Sequence, residues 1–429
     1  MKYVSTRNQS PAVGLSQAIA AGLAPDGGLY VPESLPEKRQ LRAGATLAES
    51  AAALLRPFFQ GDGLEGDLDA ICREAFDFDA PLKQLGTPND HVLELFHGPT
   101  AAFKDFGARF LASALNRLRK ERERPLTIVV ATSGDTGAAV AAAFHRQPGL
   151  RVVVLYPDGR VSPRQAHQLG CFGDNVVALR VAGSFDDCQA LAKRALNDTG
   201  LQAKAPLSSA NSISLGRLLP QMGYYAHASL QHWEQYGKPL NFVIPTGNLG
   251  NGLAAVLARS LGAPIERIMF STNANRVLPE FFAGGDYVPK NSVATIANAM
   301  DVGAPSNFER LRWLYREDDP ALRDAFVTIS VDDETIRRTI QQRHQRFGEI
   351  FCPHTATAVH MLKQLRGEGE SGDWAVVATA HPAKFESVVE PLLGRSLEVP
   401  PALAELLARP ASAEPIEPDY DALSRCLMA

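Results

Sequence analysis

Five cysteines in 429 residues, at Cys72, Cys171, Cys188, Cys352 and Cys426 and never spaced Cys-x-x-Cys, are too few and too scattered for a disulfide framework or a zinc site. A reducing, cytoplasmic setting is expected. A bias of charge is missing too: 43 Lys and Arg against 47 Asp and Glu leave a net charge of -4, with no long block of either sign. That argues against a nucleic-acid track or a polybasic membrane patch, and a small-molecule partner is expected. No apolar run is long enough to cross a bilayer, and the polar first ten residues, with Gln17 breaking the next apolar stretch, give no secretory core. Repeats of fixed period and low-complexity tracts are absent as well. What is present is an ordinary globular composition, 45% hydrophobic and 21% charged, in a chain longer than one core usually organises. Two or three packed units are expected.

The first ninety residues carry helical patterning between turns such as Pro25-Asp26-Gly27-Gly28, which predicts a mostly helical N-terminal region. From His91 the pattern changes. Short Val- and Ile-rich runs at 92–96, 126–131, 152–155, 176–181, 242–245, 268–271 and 374–379 alternate with helical stretches, which predicts parallel sheet in α/β layers. Ser162-Pro163 and Ser184 with Asp187 three residues on read as helix starts. The proline-rich acidic tail beyond Pro400 reads as a surface-packed extension.

Chemistry gathers at the ends of these runs. Lys104 follows His97-Gly98-Pro99-Thr100-Ala101-Ala102-Phe103, and Phe106, Phe110, Ala114 and Leu118 then recur at helical spacing, so Lys104 falls in a first helical turn. The positive end of a helix dipole disfavours a lysine there unless the amine is neutral or consumed, and flanking Phe103 and Phe106 favour the neutral, nucleophilic form. A lysine at such a position otherwise turns its ammonium to solvent. Thr132-Ser133-Gly134-Asp135-Thr136-Gly137 sits between a strand and an Ala-rich helix, with hydroxyls and free N–H groups suited to an anion; Asp135 there caps the helix or meets a cation or hydroxyl. Gly247-Asn248-Leu249-Gly250-Asn251-Gly252, before a helix expected from about Leu253, reads as a phosphate cradle, not a Walker loop or a dinucleotide fingerprint. Asn211, Ser212 and Arg217 gather an amide, a hydroxyl and a guanidinium at a helix start. Thr379 to Phe385 lies at the C-terminal edge of a strand, where ligands of open α/β sheets bind. His381 has no second histidine at ligand spacing, so a structural role is expected and no metal site.

Seven ordered blocks carry a resemblance: 22–30, 97–106, 132–137, 211–217, 247–251, 298–303 and 379–385. Together they resemble the threonine synthase family, pyridoxal-5'-phosphate enzymes of fold type II, over nearly the whole chain. The resemblance implies two parallel or mixed α/β sheet domains with the cofactor between them. It divides the chain into an N-terminal region (1–90), a larger domain (91–124 and 236–400), a smaller α/β domain (125–235) and a C-terminal extension (401–429). It implies that Lys104 carries the cofactor as a Schiff base and later moves protons. Gly247, Asn248, Leu249, Gly250 and Asn251 match the cofactor-phosphate loop, Thr379 the hydroxyl facing the pyridine nitrogen, and Asp135 a residue beside the ring. Ser133, Gly134 and Thr136 match a substrate-carboxylate loop, and Asn211, Ser212 and Arg217 a substrate-phosphate cluster. Leu249 stands where this subfamily commonly has Phe, and Ala101 where Leu is common; both changes keep apolar character. The 298–303 block is a family hallmark with no physical role legible in sequence. The activity implied is that of a lyase converting O-phospho-L-homoserine and water to L-threonine and phosphate, in a monomer or homodimer. The rivals are a sibling lyase releasing a 2-oxo acid and a catalytically idle binding protein.

Overall fold

The computed structural model describes residues 1–119 and 124–429, so residues 120–123, at the expected boundary between the larger and smaller domains, lie outside the described residues. Strands β1 (Tyr3–Ser5) and β2 (Tyr30–Pro32) pair antiparallel, and helices Leu15–Ala21, Leu47–Phe59 and Leu68–Ala75 supply the helical N-terminal region. The second of these starts where Thr46 accepts the Glu49 N–H, and its buried Leu47, Ala51, Leu54, Leu55 and Phe58 return every three or four residues.

The remaining strands are β3 (Leu82–Gln84), β4 (Asp90–Glu94), β5 (Leu126–Ala131), β6 (Leu150–Pro157), β7 (Val176–Val181), β8 (Leu207–Ser209), β9 (Leu240–Pro245), β10 (Ile265–Thr272), β11 (Val327–Ser330), β12 (Asp373–Ala378) and β13 (Glu414–Ile416). They form two sheets. The larger runs β11-β10-β9-β12-β4-β3 and is parallel except for the antiparallel β3–β4 edge; the smaller runs β13-β7-β6-β5-β8 and is parallel throughout. Central strands such as β9 and β12 are buried along their whole length, which is why they read as continuous apolar runs without alternation.

The expected helix starts are present. Ser162 and Ser184 each form a full capping box, with Gln165 and Asp187 respectively. Three features differ from the sequence expectation. Short edge strands β3, β8 and β11 were not legible as apolar runs. The helix after β9 begins at Gly250, not near Leu253, so Gly250 and Asn251 belong to its first turn. The tail is also more than a surface extension: β13 pairs parallel with β7, and the helix Tyr420–Met428 buries Leu423 and Leu427. Its Pro415 is tolerated because an edge strand needs hydrogen bonds on one side only.

Candidate active site at the strand ends

The loops leaving β4, β9 and β12 meet at the C-terminal ends of the larger sheet, the side on which parallel α/β sheets bind ligands. The loop after β4 is stitched to the loop after β12: Phe103 N–H donates to the Thr379 carbonyl at 2.8 Å and His381 N–H to the Ala101 carbonyl at 3.0 Å. Ala101 itself adopts φ +55°, a left-handed conformation that costs a non-glycine residue energy and is held by these bonds. Asp105, fully buried, accepts from both the N–H (2.9 Å) and hydroxyl (2.6 Å) of Thr100 and so fixes the turn from beneath. Lys104 is thereby placed as the first residue of the helix Lys104–Leu118.

Among the described residues the Lys104 amine has no hydrogen-bond or ion-pair partner; it stands 4.4 Å from the centre of the Phe103 ring. Burial and then the Arg217 cation push it down to about 8, with Asp135 opposing. About a tenth of the amine is therefore neutral at pH 7, far more than for an ordinary lysine, as a nucleophilic lysine needs.

The cleft around it, open to solvent, spans about 580 Å³, and Lys104, Asp135, Arg217, Asn251, His354 and Thr379 supply its main chemistry. Wider hollows open beside Arg39 (about 760 Å³) and beside Phe172 (about 1040 Å³), but neither lies at the larger sheet's C-terminal strand ends.

In the glycine-rich loop the positive φ belongs to Leu249 (+60°), not to a glycine. Glycine is needed for another reason: a Cβ on Gly247 would lie 2.7 Å from the Met300 Cα, and one on Gly252 would lie 2.5 Å from the Phe270 ring. Asn248 is committed to the protein, its amide donating to the Ser212 hydroxyl and its carbonyl oxygen accepting from Ser306 N–H, both at 2.5 Å. Asn251 is different. Its Oδ1 accepts from the hydroxyls of Tyr224 (2.6 Å) and Tyr225 (2.8 Å), which orients the amide, while its buried Nδ2 has no partner. An unpaired donor held so firmly in the first turn of a helix is a place for an anion.

Arg217 is 1% exposed, and its guanidinium donates to the Ala210 carbonyl while Nε has no partner. It lies against the helix that Lys104 opens, where a Cβ on Gly107 would come 3.0 Å from that Nε. Burial lowers its proton affinity to about 10, which still leaves it charged. Ser212 lines the cleft beside it, but Asn211 turns away to hold the Ala131 carbonyl at 2.9 Å. Of the turn after β5 only Asp135 lines the cleft. Ser133, Gly134 and Thr136 flank it, shaped by Thr132, whose hydroxyl accepts from Gly134 N–H (3.0 Å) and Gly137 N–H (2.9 Å).

Sequence reasoning gave no site role to His354, Gln165, Lys384, Asn307 or Arg310, and could not explain the 298–303 block. The structure gives each a position. His354 Nε2 accepts from Ala299 N–H at 3.0 Å, which places the proton of the neutral ring on Nδ1, and buried Nδ1 has no partner. Burial drives this ring down to about 4, so it is neutral. Asn298 donates to Gln165 (3.0 Å), Gln165 to Asp135 (3.0 Å), and Met300 presses on Gly247, so the hallmark block ties the glycine loop to the smaller sheet's helix. Asn307 bonds the carbonyls of Ser212 (3.2 Å) and Asn248 (3.1 Å) and is itself held by Arg310 at 2.8 Å. The one signal for His354 was its place beside the capping Cys352 at a helix start. His381 Nδ1 accepts from Ala383 N–H at 3.2 Å, which is a helix-capping position.

Comparison with known proteins gives this geometry a family. Residues 75–382 match the model described as pyridoxal-phosphate dependent enzyme, residues 2–76 the threonine synthase N terminus, and residues 355–426 the threonine synthase C-terminal model. The chain is 38% identical to threonine synthase of Escherichia coli (strain K12), covering 100% of this chain and 99% of the relative, and 39% identical to that of Serratia marcescens with the same coverage. Among solved structures, threonine synthase from Escherichia coli superposes with TM-score 0.91 at 38% identity. The pyridoxal-phosphate-bound threonine synthase from Brucella melitensis superposes with TM-score 0.89 at 35% identity, and both structures cover 100% of this chain and 99% of their own.

The residues present fit such a cofactor. An aldehyde requires an unpaired, desolvated amine, which Lys104 supplies, and a phosphate requires free donors at a helix N-terminus, which Asn251 Nδ2 and the adjoining backbone supply. On sequence, fold and site alike, the chain belongs to the pyridoxal-phosphate-dependent enzymes, within the threonine synthase family.

Proposed function

We propose that the protein converts O-phospho-L-homoserine and water to L-threonine and inorganic phosphate. The observation that carries this reading is the buried Arg217, with an uncommitted Nε, in the wall of the same cleft as the unpaired Lys104 amine. A guanidinium there suits a substrate bearing a phosphate at the far end from its amino group.

When bound, the cofactor is an electron sink that stabilises carbanions beside the substrate amino nitrogen. Lys104 would supply the amine that holds it and, as a desolvated amine lowered from the ordinary lysine value, a base able to take and return protons. The helix start at Gly250, with Asn251 Nδ2, is the seat for the cofactor phosphate; Gly247, Asn248 and Leu249 shape that seat. Thr379, at the end of β12, offers a hydroxyl, which unlike a carboxylate does not force a protonated ring nitrogen. Asp135, in the cleft wall, would stand beside the cofactor ring, and Ser133, Gly134 and Thr136, which flank it, would shape the turn that meets the substrate carboxylate. Arg217 and Ser212 anchor the leaving phosphate, and Asn211 supports them by holding β8 to β5.

Overall, the bond between Cγ and the bridging oxygen breaks and phosphate leaves with that oxygen. Water supplies the hydroxyl at Cβ, and protons are redistributed from Cα and Cβ so that Cγ ends as a methyl. The site must therefore move protons at three neighbouring carbons while excluding bulk water, which the apolar wall of half-buried Phe103 and buried Leu249 and Met300 serves. The test is to incubate the holoenzyme with O-phospho-L-homoserine and measure phosphate and threonine together. Equal release is expected; phosphate with a 2-oxo acid in place of threonine would assign the sibling lyase activity, and no phosphate would reject the substrate.

A further inference from the structure

We infer that Lys384 is a positioning residue of the active site: its ammonium is the counter-charge that keeps Asp135 ionised at the wall of the cofactor cleft. Lys384 is 0% exposed, and its amine has two partners, the Thr100 carbonyl at 2.6 Å and Asp135 Oδ1 at 2.9 Å. Those partners come from the two sides of the site. Thr100 belongs to the turn that places Lys104, and Asp135 to the helix start after β5.

The anchoring is doubled on the backbone. Ser162 donates its hydroxyl to the Lys384 carbonyl at 2.7 Å, and Arg164 donates to the Ala383 carbonyl at 2.7 Å, so the helix Pro163–Gly170 clamps the segment that carries the lysine. Gln165 of the same helix gives Asp135 its second donor at 3.0 Å. Asp135 thus receives one cation and one amide from behind and turns its remaining face to the cleft.

The groups around Asp135 are few. Lys384 and Gln165 bond it; the unpaired Lys104 amine, the His354 ring and the Cys352 thiol face it without bonding. Burial alone would raise its proton affinity, and the Lys384 cation, with the hydrogen bonds from Gln165 and Lys384, more than reverses this. Without Lys384 the carboxylate would be an uncompensated buried charge beside an anionic cofactor, the arrangement that costs most when one partner of a buried pair is deleted.

The inference rests on Lys104 as the cofactor lysine, not on the identity of the substrate, so its test uses cofactor retention and no turnover. Holoenzyme is dialysed in phosphate-free buffer, and bound pyridoxal phosphate is followed by absorbance for Lys384→Met, Asp135→Asn and the double variant. Lys384→Met is expected to weaken retention about tenfold or more while Asp135 is intact. The same change made on top of Asp135→Asn is expected to cost less than about threefold, because no charge is then stranded. The Lys384→Met deficit is also expected to narrow as pH falls from 8.5 to 6, since protonation neutralises the stranded carboxylate. Equal losses with and without Asp135→Asn, or a deficit independent of pH, would overturn the proposal and leave Lys384 as a brace for Thr100. If Lys384→Met alone does not fold, the double variant decides: a folded, cofactor-loaded double variant supports charge compensation, and a double variant that fails while Asp135→Asn folds overturns it.

Discussion

Lys104 and Lys384 are two lysines of one cleft wall, the first half-buried and the second fully buried, on two loops bonded to each other, yet they are prepared for opposite tasks. Lys384 has a carbonyl and a carboxylate within 2.9 Å, so its charge is spent on structure. Lys104 has no acceptor among the described residues, a desolvating setting and a second cation nearby, so its charge is discouraged although the Phe103 face favours it. Burial alone does not make a lysine reactive; burial without an acceptor does. Lys104 is distinguished by the partners it lacks.

The most drastic way to break this contrast is Lys104→Ala. It removes the unpaired amine of the cleft, and turnover is expected to fall by about a thousandfold or more, the scale on which covalent and acid–base contributions act together. Steady-state assays of phosphate release check this, and near-normal turnover would reject the assignment. Next in size is Asn251→Asp. It keeps the acceptor used by Tyr224 and Tyr225 but replaces the orphaned donor with a carboxylate, so cofactor retention is expected to fall about a hundredfold, from a lost charge-assisted bond plus like-charge repulsion. Asn248→Asp should weaken retention markedly less, because both ends of Asn248 already bond protein groups that a carboxylate can also accept from. Equal losses from the two substitutions, measured by dialysis, would show that side-chain commitment does not sort the loop.

Arg217→Lys keeps the charge and loses the planar fork, along with its bond to the Ala210 carbonyl. A charge-assisted bond is worth about 1.5 to 3 kcal/mol, so kcat/KM for O-phospho-L-homoserine should fall roughly ten- to a hundredfold with cofactor retention little changed. A change under about threefold would remove Arg217 from the substrate site.

How far such roles can be read without coordinates differs from residue to residue. The places of Lys104, Thr379 and the 247–251 loop in the cleft were legible because each lies in a short stretch with its own turn chemistry next to a strand. The strands themselves were legible where burial on both faces made their central residues a continuous apolar run, as in β6, β9 and β12. Partners distant in sequence were not legible. Nothing local to Asp135 says that its cation is Lys384, or that Asn251 and not Asn248 holds the free amide, because Tyr224, Tyr225, Ser212 and Ser306 make that choice through tertiary contacts. The tail strand β13 was hidden by its own proline, and the left-handed backbone at Leu249 by a side chain that gives no local sign of it.

A smaller effect sharpens the same contrast through pH. Cofactor capture requires the unprotonated Lys104 amine, whose proton affinity is lowered from the usual lysine value to about 8. The rate of pyridoxal phosphate reloading into stripped protein should therefore rise tenfold per pH unit below about 8 and level off above it. An amine with the ordinary lysine value would still be climbing at pH 9.5. Stopped-flow absorbance resolves the difference.

The division between the two lysines is tested most directly by borohydride reduction of the holoenzyme followed by peptide mapping. One pyridoxyl group per chain is predicted, on Lys104, with Lys384 unmodified. A label on Lys384, or one shared between the two, would contradict the account, because it would mean that the paired amine, and not the desolvated unpaired one, is the nucleophile.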